Sequence, residues 1–213
     1  MKTYLVAMKK AGLSLALFAF ISVLFVAITD RLTSEKIKEN QKNMLLHALH
    51  EVVPEKYYDN NLINSKFILA ANKTGFERNT PIFIATKKGS PVAVIFEYST
   101  LKGYGGIIKL LIGIDIKDKS ILGVRVVNHQ ETPGLGDKMD IRKSNWILSF
   151  NHKSLKDPSL EYWKVKKDGG AFDQFTGATI TPRAIVNAVK TTLLYVQDNL
   201  DSLLNEFQAG QLK

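Results

Sequence analysis

The 213 residues, 45% of them apolar, are enough for one domain of ordinary size and an appendage. A formal net charge of +9 is typical of proteins that bind nucleic acid or an anionic surface. The sequence has no lysine-rich patch with interleaved aromatic residues, so nucleic-acid binding is not expected. The absence of cysteine excludes thiolate zinc sites, cysteine-ligated iron–sulfur clusters and a lipoprotein cysteine. Any redox chemistry must therefore come from an organic cofactor or from a metal without thiolate ligands.

The first predicted element is a membrane-spanning helix at residues 11–29. These nineteen residues carry no charge and follow Lys9 and Lys10. At about 1.5 Å per residue they reach about 28 Å, close to the thickness of the hydrocarbon core of a bilayer. A cleaved signal peptide is the alternative. We favour an uncleaved anchor because the apolar run is longer than a usual signal core and residues 26–30 make a poor cleavage site.

The lysines before this helix predict its orientation. By the positive-inside rule, residues 1–10 lie in the cytoplasm and the chain after residue 29 lies on the outer side of the membrane. In a Gram-negative bacterium this describes a single-pass protein of the inner membrane. Its C-terminal domain, residues 55–213, is then expected in the periplasm.

Residues 30–54 are predicted to form an amphipathic helix that connects the membrane helix to the domain. Pro54 ends this helix, and one stripe of it is apolar and is expected to dock on the domain. The stripe consists of Ile37, Met44, Leu45, Ala48, Leu49 and Val52. His47, His50 and Glu51 lie in the same helix, but their order, H-x-x-H-E, differs from the zinc-protease motifs. No metal site is therefore predicted.

The middle of the chain has the residue pattern of an antiparallel sheet. Four runs of β-branched and aromatic residues are grouped in two pairs, and each pair is closed by turn-forming residues, which is typical of a hairpin. The runs are 82–86 and 92–99, around the turn 87–90, and 107–116 and 122–128, around the turn 117–120. At least four strands are thus predicted, with helices before and after, so the fold class is α+β. A further strand is predicted at 162–165.

Two loops that contain glycine follow strands of this sheet. Residues 103–106, Gly-Tyr-Gly-Gly, lack the spacing and the following helix of a dinucleotide site, and they indicate either a ligand contact or a bent strand entrance. Residues 129–138 include a proline and two glycines, which give a loop a fixed shape, and loops at strand ends commonly display binding groups. His129 begins this loop, either as a structural residue or as a hydrogen-bond donor to a ligand.

A long helix is predicted near the C-terminus, with Thr181 as its N-cap and Pro182 at its first position. Its apolar residues recur at three- and four-residue steps, which is typical of one buried face. They are Ile185, Val186, Val189, Leu193, Val196, Leu200, Leu203 and Leu204. The turn 176–179 precedes the helix, where free backbone N–H groups and the positive end of the dipole stabilise a phosphate. An ordinary capped helix is the alternative.

This turn resembles a flavin attachment motif. Asp173, Thr176, Gly177, Ala178 and Thr179 match D-x-x-[S/T]-G-A-T, in which a flavin transferase joins the final threonine to flavin mononucleotide (FMN) through a phosphodiester. The resemblance implies that Thr179 is the attachment residue. It also implies that the five matching residues form the recognition signal of the transferase.

Three segments in order are similar to the FMN-binding domain of two related subunits. The segments are 103–106, then 131–136 with the sequence Glu-Thr-Pro-Gly-Leu-Gly, then 176–179. The domain is shared by the G subunit of the Rnf-type ion-translocating electron transport complex and the C subunit of the sodium-translocating NADH:quinone reductase. Each has an N-terminal membrane helix and a periplasmic domain with covalent FMN, so the resemblance covers essentially the whole chain. The length of this chain is more like the Rnf G subunit.

The resemblance implies that a flavin lies between the two loops. A flavin needs an apolar contact on its ring, polar contacts at its edge and compensation for its phosphate. Leu135 is expected against the ring, and Lys138 is expected near the phosphate unless it forms a solvated pair with Asp137. The expected flavin contacts are Glu131, Thr132, Gly134, Leu135, Gly136, Lys138, Thr176, Gly177 and Ala178, with Glu131 and Thr132 at the edge of the ring.

The function implied by the resemblance is that of an electron carrier. The chain would relay electrons between neighbouring membrane subunits, among them a second flavoprotein subunit, while the complex couples this flow to ion movement. The sequence contains no nucleophile elbow and no other activated nucleophile, so no catalytic residue is predicted. A membrane-anchored flavin sensor or regulator with the same domain is the alternative.

Overall fold

The computed structural model describes residues 2–211 and contains a long helix at each end of the chain and an antiparallel sheet between them. The elements are α1 (Lys2–Val52), β1 (Phe67–Leu69), α2 (Ala71–Thr74), β2 (Thr80–Lys87), β3 (Ser90–Thr100), β4 (Ile108–Asp115), β5 (Ile121–Asn128) and α3 (Ile180–Gln211). Short 3-10 turns fill the chain between β5 and α3. The predicted α+β class is confirmed. The chain divides into two compact units, one up to Met44 and one from Leu45 onward.

The first unit is the N-terminal part of α1, which is long and apolar enough to cross a membrane. Large side chains such as Phe18 and Phe25 are exposed along it. The hydroxyl of Ser22 donates to the carbonyl of Phe18 at 2.9 Å, and that of Thr29 donates to the carbonyl of Phe25 at 2.8 Å. These polar side chains are therefore satisfied within the helix, as an apolar surrounding requires.

The second unit is built on a five-stranded sheet in the order β1-β2-β3-β4-β5, with every neighbouring pair antiparallel. The two predicted hairpins are present as β2–β3 and β4–β5. The edge strand β1 was not predicted, because it is short and lies in a polar, turn-rich segment. It pairs with β2 through Phe67 opposite Ile82.

Each face of the sheet carries its own core, because successive strand residues point to opposite sides. The predicted apolar stripe of α3 is buried on one face together with Ile84, Phe96 and Ile112. On the other face, Leu49 and Val52 from the last turns of α1 pack on residues such as Phe83, Ile95 and Leu111. Ile37 and Met44 are exposed, so the docking stripe of this helix is shorter than predicted and begins at Leu45.

Two glycines make room for α1 on the sheet. Gly113 and Gly123 lie opposite each other in β4 and β5. A Cβ at Gly113 would come within 2.5 Å of the Val52 side chain, and a Cβ at Gly123 within 2.9 Å of the Val52 carbonyl oxygen. The last turn of α1 therefore lies directly against the sheet backbone.

The strand predicted at 162–165 is wrong. The 3-10 turn Leu160–Tyr162 ends at the first residue of this segment, and a single bridge joins Val165 to Phe172. Trp163 is buried against Phe172, with ring centroids 5.0 Å apart, and its indole N–H donates to the carbonyl of Pro158 at 3.0 Å. Of the two aromatic residues that suggested a strand, Trp163 joins a buried cluster with Phe150 and Phe172, whereas Tyr162 is exposed.

Candidate functional site

A cavity of about 260 Å³ lies where three segments of the second unit meet. The segments are the loop between β3 and β4, the loop after β5 and the start of α3. The lining residues are Tyr104, Glu131, Thr132, Leu135, Gly136, Gly177, Ala178, Thr179, Ile180 and Thr181. The structure therefore brings together the three segments on which the family resemblance rests, although they are far apart in the sequence.

Three of the predicted contact residues lie beside the cavity and not in its lining. Thr176 is exposed in the turn before Gly177. Gly134 precedes the lining residue Leu135, and Lys138 is half-buried in the 3-10 turn Gly136–Met139. Any contact of these three with a ligand in the cavity stays a prediction.

The turn 176–179 is held in a fixed conformation. The N–H of Ala178 donates to the carbonyl of Phe175 at 3.1 Å, and Gly177 has a φ of +80°, a region that favours glycine. The indole N–H of Trp146 donates to the carbonyl of Asp173 at 2.8 Å, and its ring meets that of Phe175 edge to face at 4.9 Å. The turn therefore lies on an aromatic support.

The helix α3 begins two residues earlier than predicted. Its first residue is Ile180, and the N–H of Arg183 donates to the carbonyl of Thr179 at 3.3 Å, so Thr179 is the N-cap. The prediction of Thr181 as N-cap is wrong, because the hydroxyl of Thr181 donates to Glu131 instead of capping the helix. Pro182 is tolerated in this first turn, where a backbone N–H has no intrahelical partner.

The threonine hydroxyls around the cavity differ in their availability. Thr181 is fully buried and its hydroxyl is engaged by Glu131. Thr176 is exposed outside the cavity. Thr179 lines the cavity, is half-buried, and makes no side-chain hydrogen bond with any residue of the described range 2–211. Thr132, in the loop after β5, also lines the cavity, and its hydroxyl makes no hydrogen bond within the described range. Among the threonines at residues 176–181, Thr179 alone presents a free hydroxyl inside the cavity.

The acidic residues of the loop after β5 hold its shape. The carboxylate of Asp137 is buried and accepts a hydrogen bond from the N–H of Gly134 at 2.8 Å. The alternative of a solvated pair between Asp137 and Lys138 is therefore wrong for the aspartate.

His129, at the start of the same loop, has a structural role. Its Nδ1 accepts a hydrogen bond from the N–H of Glu131 at 3.2 Å.

Two ion pairs flank the site and lower the pKa of their carboxyl groups. The side-chain hydrogen bonds from Arg142 hold the pKa of Asp140 below its usual value. Those from Arg183, in the first turn of α3, do the same for the pKa of Asp168. Asp168 lies in the 3-10 turn Lys166–Asp168, so this pair joins the start of α3 to the segment that precedes the turn 176–179.

Comparison with known proteins identifies the family. Residues 103–194 match the FMN-binding domain, and residues 1–52 match the RnfG N-terminal region. The G subunit of the ion-translocating oxidoreductase complex of Vibrio atlanticus is 50% identical over 198 residues, which cover 93% of this chain and 94% of the relative. The corresponding protein of Shewanella amazonensis is 49% identical over 191 residues, which cover 89% and 88%. This chain belongs to the family of these G subunits.

The cavity lies within the part of the chain that matches the FMN-binding domain. All ten lining residues fall within the range that matches the FMN-binding domain, so the cavity is the part of that domain where the three segments converge. The crystal structure of NqrC from Shewanella oneidensis is similar over 73% of each chain, with a TM-score of 0.46 and 19% identity.

Three lining residues were not predicted. Tyr104 lies between the glycines of segment 103–106, and an aromatic residue in such a loop was the one available signal. Ile180 and Thr181 directly follow the attachment motif; Thr181 was interpreted only as a helix cap, and Ile180 was given no role. The contact between Thr181 and Glu131 spans 50 positions, for which the sequence contains no local signal.

Proposed function

We propose that this chain is the electron-carrying subunit of a membrane-bound ion-translocating oxidoreductase complex and that it holds FMN through a phosphodiester on Thr179. In this proposal α1 anchors the chain in the inner membrane, with residues 1–10 in the cytoplasm and the FMN-binding domain in the periplasm. A flavin transferase attaches the cofactor, and the electron partners are other membrane subunits, including a second flavoprotein.

The observation that carries the proposal is the position of the Thr179 hydroxyl. It lies in the cavity at the N-cap of α3 and is not engaged by another residue of the described range. Thr181 would also offer a hydroxyl, but Glu131 already accepts its hydrogen bond. Thr132 offers a second free hydroxyl at the cavity, but only Thr179 coincides with the final threonine of the attachment motif.

The start of α3 suits a phosphate attached at Thr179. The N–H groups of Ile180 and Thr181 precede the first intrahelical hydrogen bond, which Arg183 makes to Thr179. Together with the positive end of the helix dipole they favour a negative group at this point. Pro182 supplies no N–H, so Ile180 and Thr181 are the amides of the first turn that can donate to the phosphate.

The apolar side chains at the cavity suit a flat aromatic ring. Tyr104 is 73% exposed, Leu135 44% and Ile180 46%, although all three are large and apolar or aromatic. Exposed apolar groups gathered around one cavity are typical of a ligand site. The volume of about 260 Å³ lies just below the range of about 300–1,000 Å³ usual for small-molecule pockets, so the cavity suits part of a flavin and leaves the remainder near the surface.

When bound, FMN supplies electron-transfer chemistry that no side chain of this protein can perform. The contribution of the chain is to hold and orient the cofactor. Thr179 and the first amides of α3 fix the phosphate end, and Leu135, Tyr104 and Ile180 cover part of the ring. A covalent link is advantageous outside the cytoplasm, because FMN lost there is not readily recaptured.

Attachment is tested by producing the chain with and without a flavin transferase and viewing denaturing gels under ultraviolet light. We expect a fluorescent band for the wild type and for Thr179→Ser, which keeps a hydroxyl, only when the transferase is present. Thr179→Ala should give no fluorescent band and no added flavin in the intact mass. Thr132→Ala, which removes another hydroxyl at the cavity, is the matched control and should keep the band.

The attachment proposal is wrong if Thr179→Ala retains covalent flavin. Electron relay is tested separately in membranes that contain the whole complex, by following flavin reduction after an electron donor is supplied. Reduction at the turnover rate is expected of a relay, whereas a sensor or regulator would be reduced much more slowly than turnover.

A further inference from the structure

Glu131 lies at the point where the three segments of the cavity meet. It is 5% exposed. Its Oε1 accepts a hydrogen bond from the N–H of Gly105 at 2.8 Å, and its Oε2 accepts one from the hydroxyl of Thr181. One carboxylate therefore joins the loop after β5 to the loop between β3 and β4 and to the first turn of α3.

Three glycines allow this close approach. A Cβ at Gly136 would come within 2.6 Å of Oε2 of Glu131, and a Cβ at Gly103 within 2.8 Å of Oε1. At Gly105 a Cβ would lie 2.0 Å from the carbonyl oxygen of Gln130. The segments are thus packed around the carboxylate without room for side chains at these positions.

The two partners of Glu131 lie next to the groups that border the cavity. Gly105 follows Tyr104, whose largely exposed ring lines the cavity, and Thr181 lies two residues after Thr179. Fixing the Gly105 amide therefore fixes the backbone that carries the Tyr104 ring. Fixing the Thr181 side chain fixes the helix turn that carries the Thr179 hydroxyl.

The burial of the Glu131 carboxylate lowers the stability of the fold, which would be unusual if its role were only structural. Glu131 has no ion-pair partner among the described residues 2–211, and both of its donors are neutral. Burying a carboxylate without a counter-ion destabilises a fold, and such local conflicts are expected at functional sites. A carboxylate does, however, accept from two separate donors, as this junction requires.

We propose that Glu131 is a positioning residue of the FMN site, which holds the Tyr104 ring and the Thr179 hydroxyl in register through Gly105 and Thr181. This inference rests on the proposed function, because it concerns how the attached flavin is held. It assigns Glu131 to the support of the cavity, and it assigns Tyr104 to contact with the flavin ring.

The test compares variants that differ only in this junction. Thr181→Val removes the hydroxyl at nearly constant shape, and Thr181→Ser keeps it. Glu131→Ala removes both hydrogen bonds, whereas Glu131→Gln keeps one acceptor for Gly105 and one donor for Thr181. Each full-length chain is made with the transferase, and flavin fluorescence is measured per attached flavin, first in the native protein and then after denaturation.

In the wild type we expect native fluorescence to be quenched relative to the denatured protein, because the phenol ring of Tyr104 contacts the flavin and can donate an electron to its excited state. Glu131→Ala and Thr181→Val should raise native fluorescence about two-fold, and Tyr104→Leu should do the same. Glu131→Gln and Thr181→Ser should resemble the wild type. Tyr104→Phe should resemble Tyr104→Leu, because phenylalanine does not donate an electron to the excited flavin. A second readout needs no flavin: hydrogen exchange of the Gly105 amide should become about ten-fold faster in Glu131→Ala and remain slow in Glu131→Gln.

The outcomes separate this inference from the proposed function. If flavin is attached normally but Thr181→Val, Glu131→Ala and Tyr104→Leu keep the wild-type fluorescence ratio, Glu131 does not position the site, although the attachment proposal stands. If the wild type acquires no flavin, the attachment proposal fails and exchange of the Gly105 amide decides whether Glu131 holds the junction. If Glu131→Ala does not fold, the Thr181→Val and Thr181→Ser pair decides, since it changes a single hydroxyl.

Discussion

The two ends of the β-sheet use glycine and acidic residues in different ways. At the hairpin end, formed by the turns 87–90 and 116–120, Gly89 has a φ of +78° and nothing lies within 4 Å of the place where a Cβ would be. At the site end, formed by the loops 101–107 and 129–136, Gly105 has an ordinary φ, but a Cβ would collide with the Gln130 carbonyl. Gly89 therefore supplies conformation to its turn, whereas Gly105 supplies space between two loops. The site end also contains glycines of the first kind, because Gly106 and Gly134 have positive φ values and open space around them.

Acidic residues at the two ends also differ in how far along the chain their hydrogen bonds reach. At the hairpin end, Asp115 and Asp118 accept hydrogen bonds from N–H groups two residues ahead, at 2.7 and 2.9 Å. At the site end, Glu131 joins residues that are 26 and 50 positions away. Asp115 and Asp118 therefore stabilise their own turn, whereas Glu131 joins distant segments. The other hairpin turn also receives a distant contact, because the N–H of Lys88 donates to Asp59. Substitutions at the two ends should have correspondingly different consequences.

The largest effect is expected for Gly105→Ala. The added methyl group would overlap a backbone carbonyl, so the two loops must separate, and overpacking of this kind costs about 2–3 kcal/mol. For a domain of this size the melting temperature should fall by roughly 4–10 °C. Because the loop that carries Tyr104 moves, flavin fluorescence per attached cofactor should rise as well.

Gly89→Ala is the matched control for this substitution. It introduces a side chain at a positive φ but into open space, so we expect a cost of about 1 kcal/mol and no change in flavin fluorescence. Thermal unfolding and fluorescence of both variants check the comparison. If Gly89→Ala alters the flavin signal, or Gly105→Ala leaves it unchanged, the distinction between the two ends is wrong.

The same difference explains what the sequence could predict. The turn 87–90 and the apolar stripe of α3 were predicted, because local residue types and periodicity determine them. The resemblance of residues 173–179 to a flavin attachment motif was recognisable from the sequence, and attachment itself stays a prediction. The role of Thr181 was missed, because its partner Glu131 lies in another segment and the residue also fits a helix cap. The strand at 162–165 was wrong for a related reason, since aromatic residues that suit a strand also suit a buried cluster.

A smaller effect, a decrease in the free energy of unfolding at alkaline pH, is expected from Tyr98, which lies near the site end of β3. Burial, with the nearby Glu77 carboxylate as the second cause, raises the pKa of Tyr98 to about 12, compared with 10.0 for a free side chain. Above pH 10 the unfolded chain loses this proton while the folded chain retains it, so the free energy of unfolding falls as the pH rises from 10 to 12. Tyr98→Phe should reduce this fall.

Denaturant unfolding of the wild type and Tyr98→Phe at several pH values between 8 and 12 measures this effect. At the lower end of that range the two proteins should show the same dependence on pH, because the hydroxyl is protonated in both states. An unchanged alkaline slope in Tyr98→Phe would mean that the Tyr98 hydroxyl is not the group responsible.

The smallest effect, and one of opposite sign, is expected for Lys88→Asn at the hairpin end. Lys87 pairs with Ser90, so Lys88 and Gly89 form a two-residue turn, and their φ values of +52° and +78° match the type I′ conformation. Lysine is disfavoured at the first of these positions, whereas asparagine tolerates it. The N–H of residue 88, which donates to Asp59 at 2.8 Å, is kept in the variant. We expect stabilisation by about 0.5–1 kcal/mol, measured by denaturant unfolding, with an unchanged flavin signal. If Lys88→Asn is destabilised, the turn is not of this type. A changed flavin signal would show that the hairpin end is coupled to the site end. We do not expect this coupling, because in the part of the chain that the structure describes the turn 87–90 has no contact with the cavity residues.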